Sequence, residues 1–122
     1  MKLHQAQASD RNQFTGYGAG YVTVNQQRYE RSLVVTPEAI HDTWTVAGID
    51  SLSAEAVRFL LELKPEILLL GTGRTQRFPA STVLREFAMA QIGVEVMDTP
   101  AACRTFNILM AEGRHVVAAV LI

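Results

Sequence analysis

The stretch LLLGTGRTQRFP, positions 68–79, places two glycines and two arginines directly after an apolar run. Glycines that bare the backbone, followed by guanidinium groups, suit the binding of phosphate or carboxylate. A dinucleotide-binding loop would need a third glycine and a helix beginning inside the motif. Gln76 stands where that third glycine belongs, and Pro79 pushes Phe78 toward extended backbone, so a helix starting at Gly73 breaks within two turns. No Gly-Lys-Ser/Thr follows, so the loop is no Walker A motif either. A nucleotide is therefore not expected, and a smaller anion is the ligand that stays open.

A second loop, DTPAACR at 98–104, follows the next apolar strand. Loops after parallel strands emerge on the same sheet edge, where crevices for ligands form. The ligand-binding candidates are Gly71, Thr72, Gly73, Arg74 and Arg77 from the first loop, and Asp98, Thr99, Cys103, Arg104 and Asn107 from the second. In that reading Arg74 and Arg77 hold an anion, Asp98 orients it and Cys103 acts on it. The alternative is a pair of tight turns with solvated arginines. Cys103 falls in the first turn of a helix, where the dipole favours thiolate, although free cysteines also serve as small buried hydrophobes. Arg104 and Asn107 share a stripe of an otherwise apolar helix, placed to tether neighbouring loops or to meet a ligand. Glu112 and Arg114 flank a turn at Gly113, placed to pair across it.

Other chemistry is missing from the pattern. His4, His41 and His115 have no metal-ligand spacing, and there is no nucleophile elbow or paired-carboxylate motif. No catalytic residue, metal or cofactor is expected.

The elements that must position these residues differ between the two halves. GYVTVNQQRYERSLVVTP reads as an antiparallel hairpin turning at residues 25–27, and DTWTVAGID as a further short strand carrying Trp44. Gly16, Gly18 and Gly20 alternate on one face of an extended segment, which suits close packing or a bulge, with a ligand approaching the backbone as the alternative. From residue 51 helix and strand alternate. Ser53 is an N-cap for a helix with Val57, Leu60 and Leu61 on its apolar face, ended by Pro65. EILLL is a strand covered on both faces. A helix over 82–91 turns Val83, Leu84, Phe87 and Ala88 inward and closes at Gly93, before the strand VEVMD. Thr99 caps the third helix with Pro100 at its first position, and HVVAAVLI is the last strand. The expected fold is α/β: a parallel or mixed central sheet from a C-terminal βαβαβ unit, with antiparallel strands added from the N-terminal half.

The chain has 122 residues, 48% hydrophobic and 19% charged, as expected of one folded domain over 1–122, with the order of 1–13 left open by the sequence. A net charge of −1 gives no broad footprint for nucleic acid. One cysteine permits no internal disulfide, which fits a reducing compartment. The N-terminal residues show neither a signal-peptide core nor an Arg-rich targeting pattern, and no apolar run approaches the roughly 20 residues that span a bilayer. A cytoplasmic, non-spanning protein is expected.

The motifs are similar to those of a known family. A strand ending in Gly71-x-Gly73, then Asp98-Thr99, Ala101-Ala102, Thr105 and Asn107, then the turn Glu112-Gly113-Arg114 and an apolar last strand, resembles the adipogenesis-associated Mth938-like domain family. These small domains, mostly of unknown function, include a mitochondrial respiratory complex I assembly factor. The resemblance covers most of the chain and implies a three-layer α/β fold with no catalytic residues to carry over. It implies a non-catalytic role, binding a protein partner and assisting assembly of a respiratory or other membrane complex. A small-anion sensor or enzyme using the crevice between GTGRTQR and DTPAACR is the alternative. A second copy of the chain, paired across a two-fold, is a further expected partner.

Overall fold

Three consecutive leucines with neither face polar must be covered twice, and the architecture is built around that requirement. The structure, a computed structural model, describes residues 10–122. Its strands are β1 (Phe14–Gly18), β2 (Tyr21–Val24), β3 (Gln27–Tyr29), β4 (Leu33–Val35), β5 (Ile40–His41), β6 (Ile67–Thr72), β7 (Gly93–Met97) and β8 (Val116–Leu121). The helices are α1 (Ala54–Glu62), α2 (Ser81–Met89) and α3 (Thr99–Ala111), with a 3-10 turn at Ile49–Ser51 before α1. A five-stranded sheet runs β5-β4-β8-β6-β7, and β1-β2-β3 form a separate antiparallel sheet. β6 pairs in parallel with both β7 and β8, while β4 joins β8 antiparallel. The mixed sheet expected from the βαβαβ unit is therefore present.

Side chains alternate across the large sheet, and both faces are apolar. Val34, Leu68, Leu70, Val117, Ala119 and Leu121 face a cluster with Trp44, Val57, Leu60 and Phe87, supplied by α1, α2 and the 42–50 segment. Leu33, Val35, Leu69, Val116, Ala118 and Val120 face the other cluster, with Phe14, Val22, Val24, Ala102, Cys103 and Phe106 from α3 and the small sheet. The result is three layers with the large sheet in the middle. All six residues of β8 are buried, as its unbroken apolar run requires.

Asn107 fastens the small sheet to α3. Its Oδ1 accepts from the Phe14 N–H at 2.9 Å and its Nδ2 donates to the Phe14 carbonyl at 2.8 Å, so the amide imitates a strand neighbour. The Phe14 and Phe106 rings meet edge to face at 5.3 Å beside it. Tethering is thus what Asn107 does. Residues 10–13 are also held: Asn12 donates from its backbone to Pro37 and from its side chain to Thr36. Residues 1–9, including His4, lie outside the described residues.

Several boundaries differ from expectation, each for a local reason. The second strand of the hairpin is cut in two: Asn25 and Gln26, at φ 52° and 70°, make a primed turn into β3, and the chain then crosses to the large sheet as β4. DTWTVAGID, residues 42–50, forms no strand, and the short β5 ends just before it at His41. Trp44 and Val46 are buried, but Trp44 donates its indole N–H to Ala56 at 3.2 Å and Val46 accepts from the Ser32 hydroxyl, so the segment lies over α1 without a ladder. Ser53 does cap α1, accepting from Ala56, but the helix ends at Glu62, and Lys64 at φ 49° has left it before Pro65. α2 closes at Met89, with Gln91 at φ 62° in the left-handed position expected of Gly93, and Ala88 is exposed. Arg114 pairs with Glu66 at 2.8 Å instead of Glu112, and that contact holds the Glu66 carboxyl below its ordinary range.

Replacing Asn107 by Ala leaves the Phe14 N–H and carbonyl without partners, and we expect a loss of about 2 kcal/mol. Denaturant titration measures it, and faster amide exchange confined to β1–β3 locates it.

Candidate functional site

The two loops do leave the sheet on one edge, as the parallel order β6-β7 requires. They pass to opposite faces: residues 73–80 lead to α2 on one side, and Asp98 leads to α3 on the other. That divergence is where an open α/β sheet ordinarily leaves its crevice.

Here the gap is bridged by hydrogen bonds. The Thr99 N–H donates to the Gly73 carbonyl at 2.8 Å, and the Gly73 N–H donates to Thr99 Oγ1 at 2.9 Å. Thr99 Oγ1 donates in turn to the Leu121 carbonyl at 2.6 Å, tying in β8. Thr72 repeats the device, donating its one hydroxyl hydrogen to the Thr75 carbonyl at 2.7 Å, with the Met97 carbonyl at 3.2 Å sharing it, and accepting from the Arg77 N–H. Gln76 donates to Val96 on the edge strand at 2.9 Å. The loop spends its polar groups on itself and on its neighbour.

Both glycines now have structural reasons. A Cβ on Gly71 would lie 3.1 Å from Thr99 Cα and from Ala102 Cβ, so its absence lets α3 settle against β6. Gly73 stands at φ 94°, which other residues rarely adopt, and a Cβ there would meet nothing within 4 Å.

The charged candidates are dispersed. Asp98, and not Thr99, is the N-cap of α3: its Oδ1 accepts from the Ala101 N–H at 2.8 Å, with Pro100 inside the first turn. Both residue types cap helices well, but the Thr99 hydroxyl is taken by Gly73 and Leu121. Arg77 turns away to Asp50 at 2.8 Å, where both side chains are more than half exposed. Arg104 is exposed and donates to the Tyr17 hydroxyl at 2.8 Å, with its guanidinium 5.9 Å from the ring centre. Arg74 is exposed and makes no ion pair among the described residues.

Cys103 faces the apolar cluster and is only 1% exposed. Burial pushes its thiol up to about 12, outweighing the nearby Arg104 charge and the helix N-terminus. It is a packed hydrophobe, the second of the two readings its position allowed, and the raised pKa opposes a thiolate at neutral pH. Among the described residues no group of three His, Cys, Asp or Glu is placed to hold a metal ion.

What the sequence reading missed is the hairpin beside these loops. Tyr17, Gly18, Gly20 and Tyr21 join Gly73, Arg74, Thr99, Pro100, Leu121 and Ile122 around a cleft of about 320 Å³, open mouth included. The clue in the sequence was the glycine alternation: a Cβ on Gly18 would lie 2.4 Å from the Tyr21 ring.

Residues 14–121 match the model of a family described as a protein of unknown function, DUF498/DUF598. The chain belongs to that family. This DUF498 chain is 37% identical over 124 residues to NADH dehydrogenase (ubiquinone) 1 alpha subcomplex assembly factor 3 of Danio rerio, covering 99% of the chain and 70% of that relative. The Homo sapiens protein of the same name is 33% identical, with 99% of the chain and 66% of the relative covered. Among solved structures, a Bordetella parapertussis protein is 42% identical at a TM-score of 0.84, covering 91% of this chain and 95% of that one. A Mth938-like domain of Bordetella pertussis is 36% identical at a TM-score of 0.77, covering 90% and 85%. The fold is Mth938-like.

The buried thiol gives a pH dependence with a definite sign. The folded thiol titrates near 12 and an ordinary one near 9.0, so above pH 9 the unfolded chain loses a proton that the folded chain keeps. Stability should be unaffected by this group below pH 9 and should fall above it by about 1.4 kcal/mol per pH unit. Denaturation between pH 7 and 10.5, set against a Cys103→Ala variant that lacks the slope, measures it.

Proposed function

We propose that this chain is a non-catalytic, cytoplasmic binding protein that holds a protein subunit during assembly of a respiratory or other membrane complex. The carrying observation is the uncovered apolar surface around α2. Only Phe87 of that helix is buried; Leu84 is half-buried, and Ala88 is exposed although its spacing assigns it inward. Met89 is 78% exposed, and Phe78 in the preceding loop is 63% exposed. Leu84 and Ala88, one turn apart, share a stripe of α2 between these two residues, and we take that stripe as the surface a partner covers.

Two further facts support the reading. The loops that would form a catalytic crevice are hydrogen-bonded to each other through Gly73 and Thr99. The Danio rerio and Homo sapiens relatives carry the name of an assembly factor. Among the described residues no helix is long and apolar enough to cross a membrane, which agrees with a partner that is met at a surface.

A Phe78→Ser, Met89→Glu double variant should keep its stability within about 0.5 kcal/mol, because both side chains are exposed. Crosslinking in native extract should recover identified subunits of a membrane complex with the natural chain, and at least about tenfold less with the variant. Recovery of no such subunit by the natural chain, or equal recovery by both, overturns the proposal.

A further inference from the structure

The large sheet ends on an open edge at β7, and the direction of that edge's polar groups follows from the neighbouring ladder. The Ile67 N–H donates to the His115 carbonyl, toward β8. Backbone groups along a strand point to alternate sides, so Leu68, Leu70 and Thr72 turn theirs toward β7. Leu68 lies beside Val94 and Leu70 beside Val96 in the parallel register. In such a ladder the residue beside an inward-facing partner faces away. Val94 and Val96 therefore present their N–H and carbonyl groups outward from the last strand of the sheet. The Gln76 side chain, donating to the Val96 carbonyl at 2.9 Å, uses one of these groups. The Val94 N–H, the Val94 carbonyl and the Val96 N–H have no partner among the described residues.

The two faces beside this edge differ in character. On one, Val94 and Val96 pack on the cluster under α2. The right-handed β6–α2–β7 crossover lays α2 over these two strands. Val83 and Leu84 flank the buried Phe87; Val83 joins that cluster, whereas Leu84 is half-buried without joining it. Leu84 and Ala88 thus lie on the flank of α2 that overhangs the open edge. On the opposite face Glu95 stands in register with Leu69, exposed and without an ion pair among the described residues.

Open backbone donors and an open acceptor, with an apolar shelf on one face and a carboxylate on the other, suit an extended chain. A strand laid along β7 alternates its side chains as β7 does. Residues beside Val94 and Val96 then turn toward Leu84 and Ala88, and the residue between them meets Glu95. We propose that the partner subunit binds by adding an extended segment of apolar-basic-apolar pattern to the β7 edge. This rests on the reading that the chain holds a protein subunit, and it names the form in which that subunit binds. The seat ends at Val96, whose carbonyl Gln76 holds. A second copy is the poorer occupant, because two β7 strands paired about Glu95 set like carboxylates opposite each other and require that same carbonyl.

The test is an NMR titration of the full chain with the end-capped peptide Thr-Val-Lys-Val-Thr. The comparison probes are the same peptide with Glu for Lys, and a copy methylated on every backbone amide. The Lys peptide should move the Val94 and Val96 amide protons downfield to saturation. It should bind at least about threefold more tightly than the Glu peptide and at least about tenfold more tightly than the methylated one. Glu95→Lys, at an exposed position, should keep the spectrum of the folded protein and reverse the order of the two charged peptides. No saturable shift at these amides, equal binding by either comparison peptide, or an unchanged order in Glu95→Lys would each overturn the proposal. So would shifts at Val94 and Val96 that follow protein concentration without peptide, since a second copy then takes the edge. The peptide stands in for the unidentified subunit, so failure here leaves recovery of subunits from extract as a separate result, and an empty extract leaves the peptide result in place.

Discussion

One hydroxyl group joins three pieces of this protein. Thr99 Oγ1 accepts from Gly73 at the end of β6, donates to Leu121 at the end of β8, and belongs to the residue that follows β7 and opens α3. The carboxyl ends of all three parallel strands therefore meet at one buried side chain, 6% exposed. A parallel sheet normally leaves this edge to its ligands; here the polar groups satisfy one another. Gly71 is bound to the same arrangement, since α3 can approach closely enough only where β6 has no side chain.

The closure relocates what the surface can offer. Polar capacity is withdrawn from the gap between the loops, while Arg74 on one flank and the bare apolar side of α2 on the other stay available. The small sheet stands where it does because Asn107 binds the backbone of β1 directly, at Phe14. An amide in the middle of α3 thus does for β1 what a neighbouring strand would do.

How far the residues foretold this depended on the range of the interactions. Local signals were sufficient for α1, whose Ser53 cap and apolar face were legible, and for β6 and β8, whose unbroken apolar runs require cover on both sides. The motif resemblance led to the right fold. Signals that required a distant partner misled. Asp98 and Thr99 are equally good caps in isolation, and only the positions of Gly73 and Leu121 separate them. Trp44 alternates like a strand residue, yet its indole bond to Ala56 keeps its segment on α1. Arg77 was read with Arg74, although Asp50, 27 positions earlier, claims it. The arginine that keeps its charge unpaired could be told from its neighbour only in three dimensions.

β8 illustrates a different kind of demand. Val116, Ala118 and Val120 face one cluster and Val117, Ala119 and Leu121 the other, so sliding the strand by one residue would exchange two rows that are nearly equivalent to a hydrophobic core. Alternation, which normally fixes how strands align, is silent here. The alignment must be read from the strand's two ends, where the His115 carbonyl accepts from Glu66 and the Leu121 carbonyl accepts from Thr99. The centre of this protein is a ruler without markings, and its scale is set by the polar contacts at its tips.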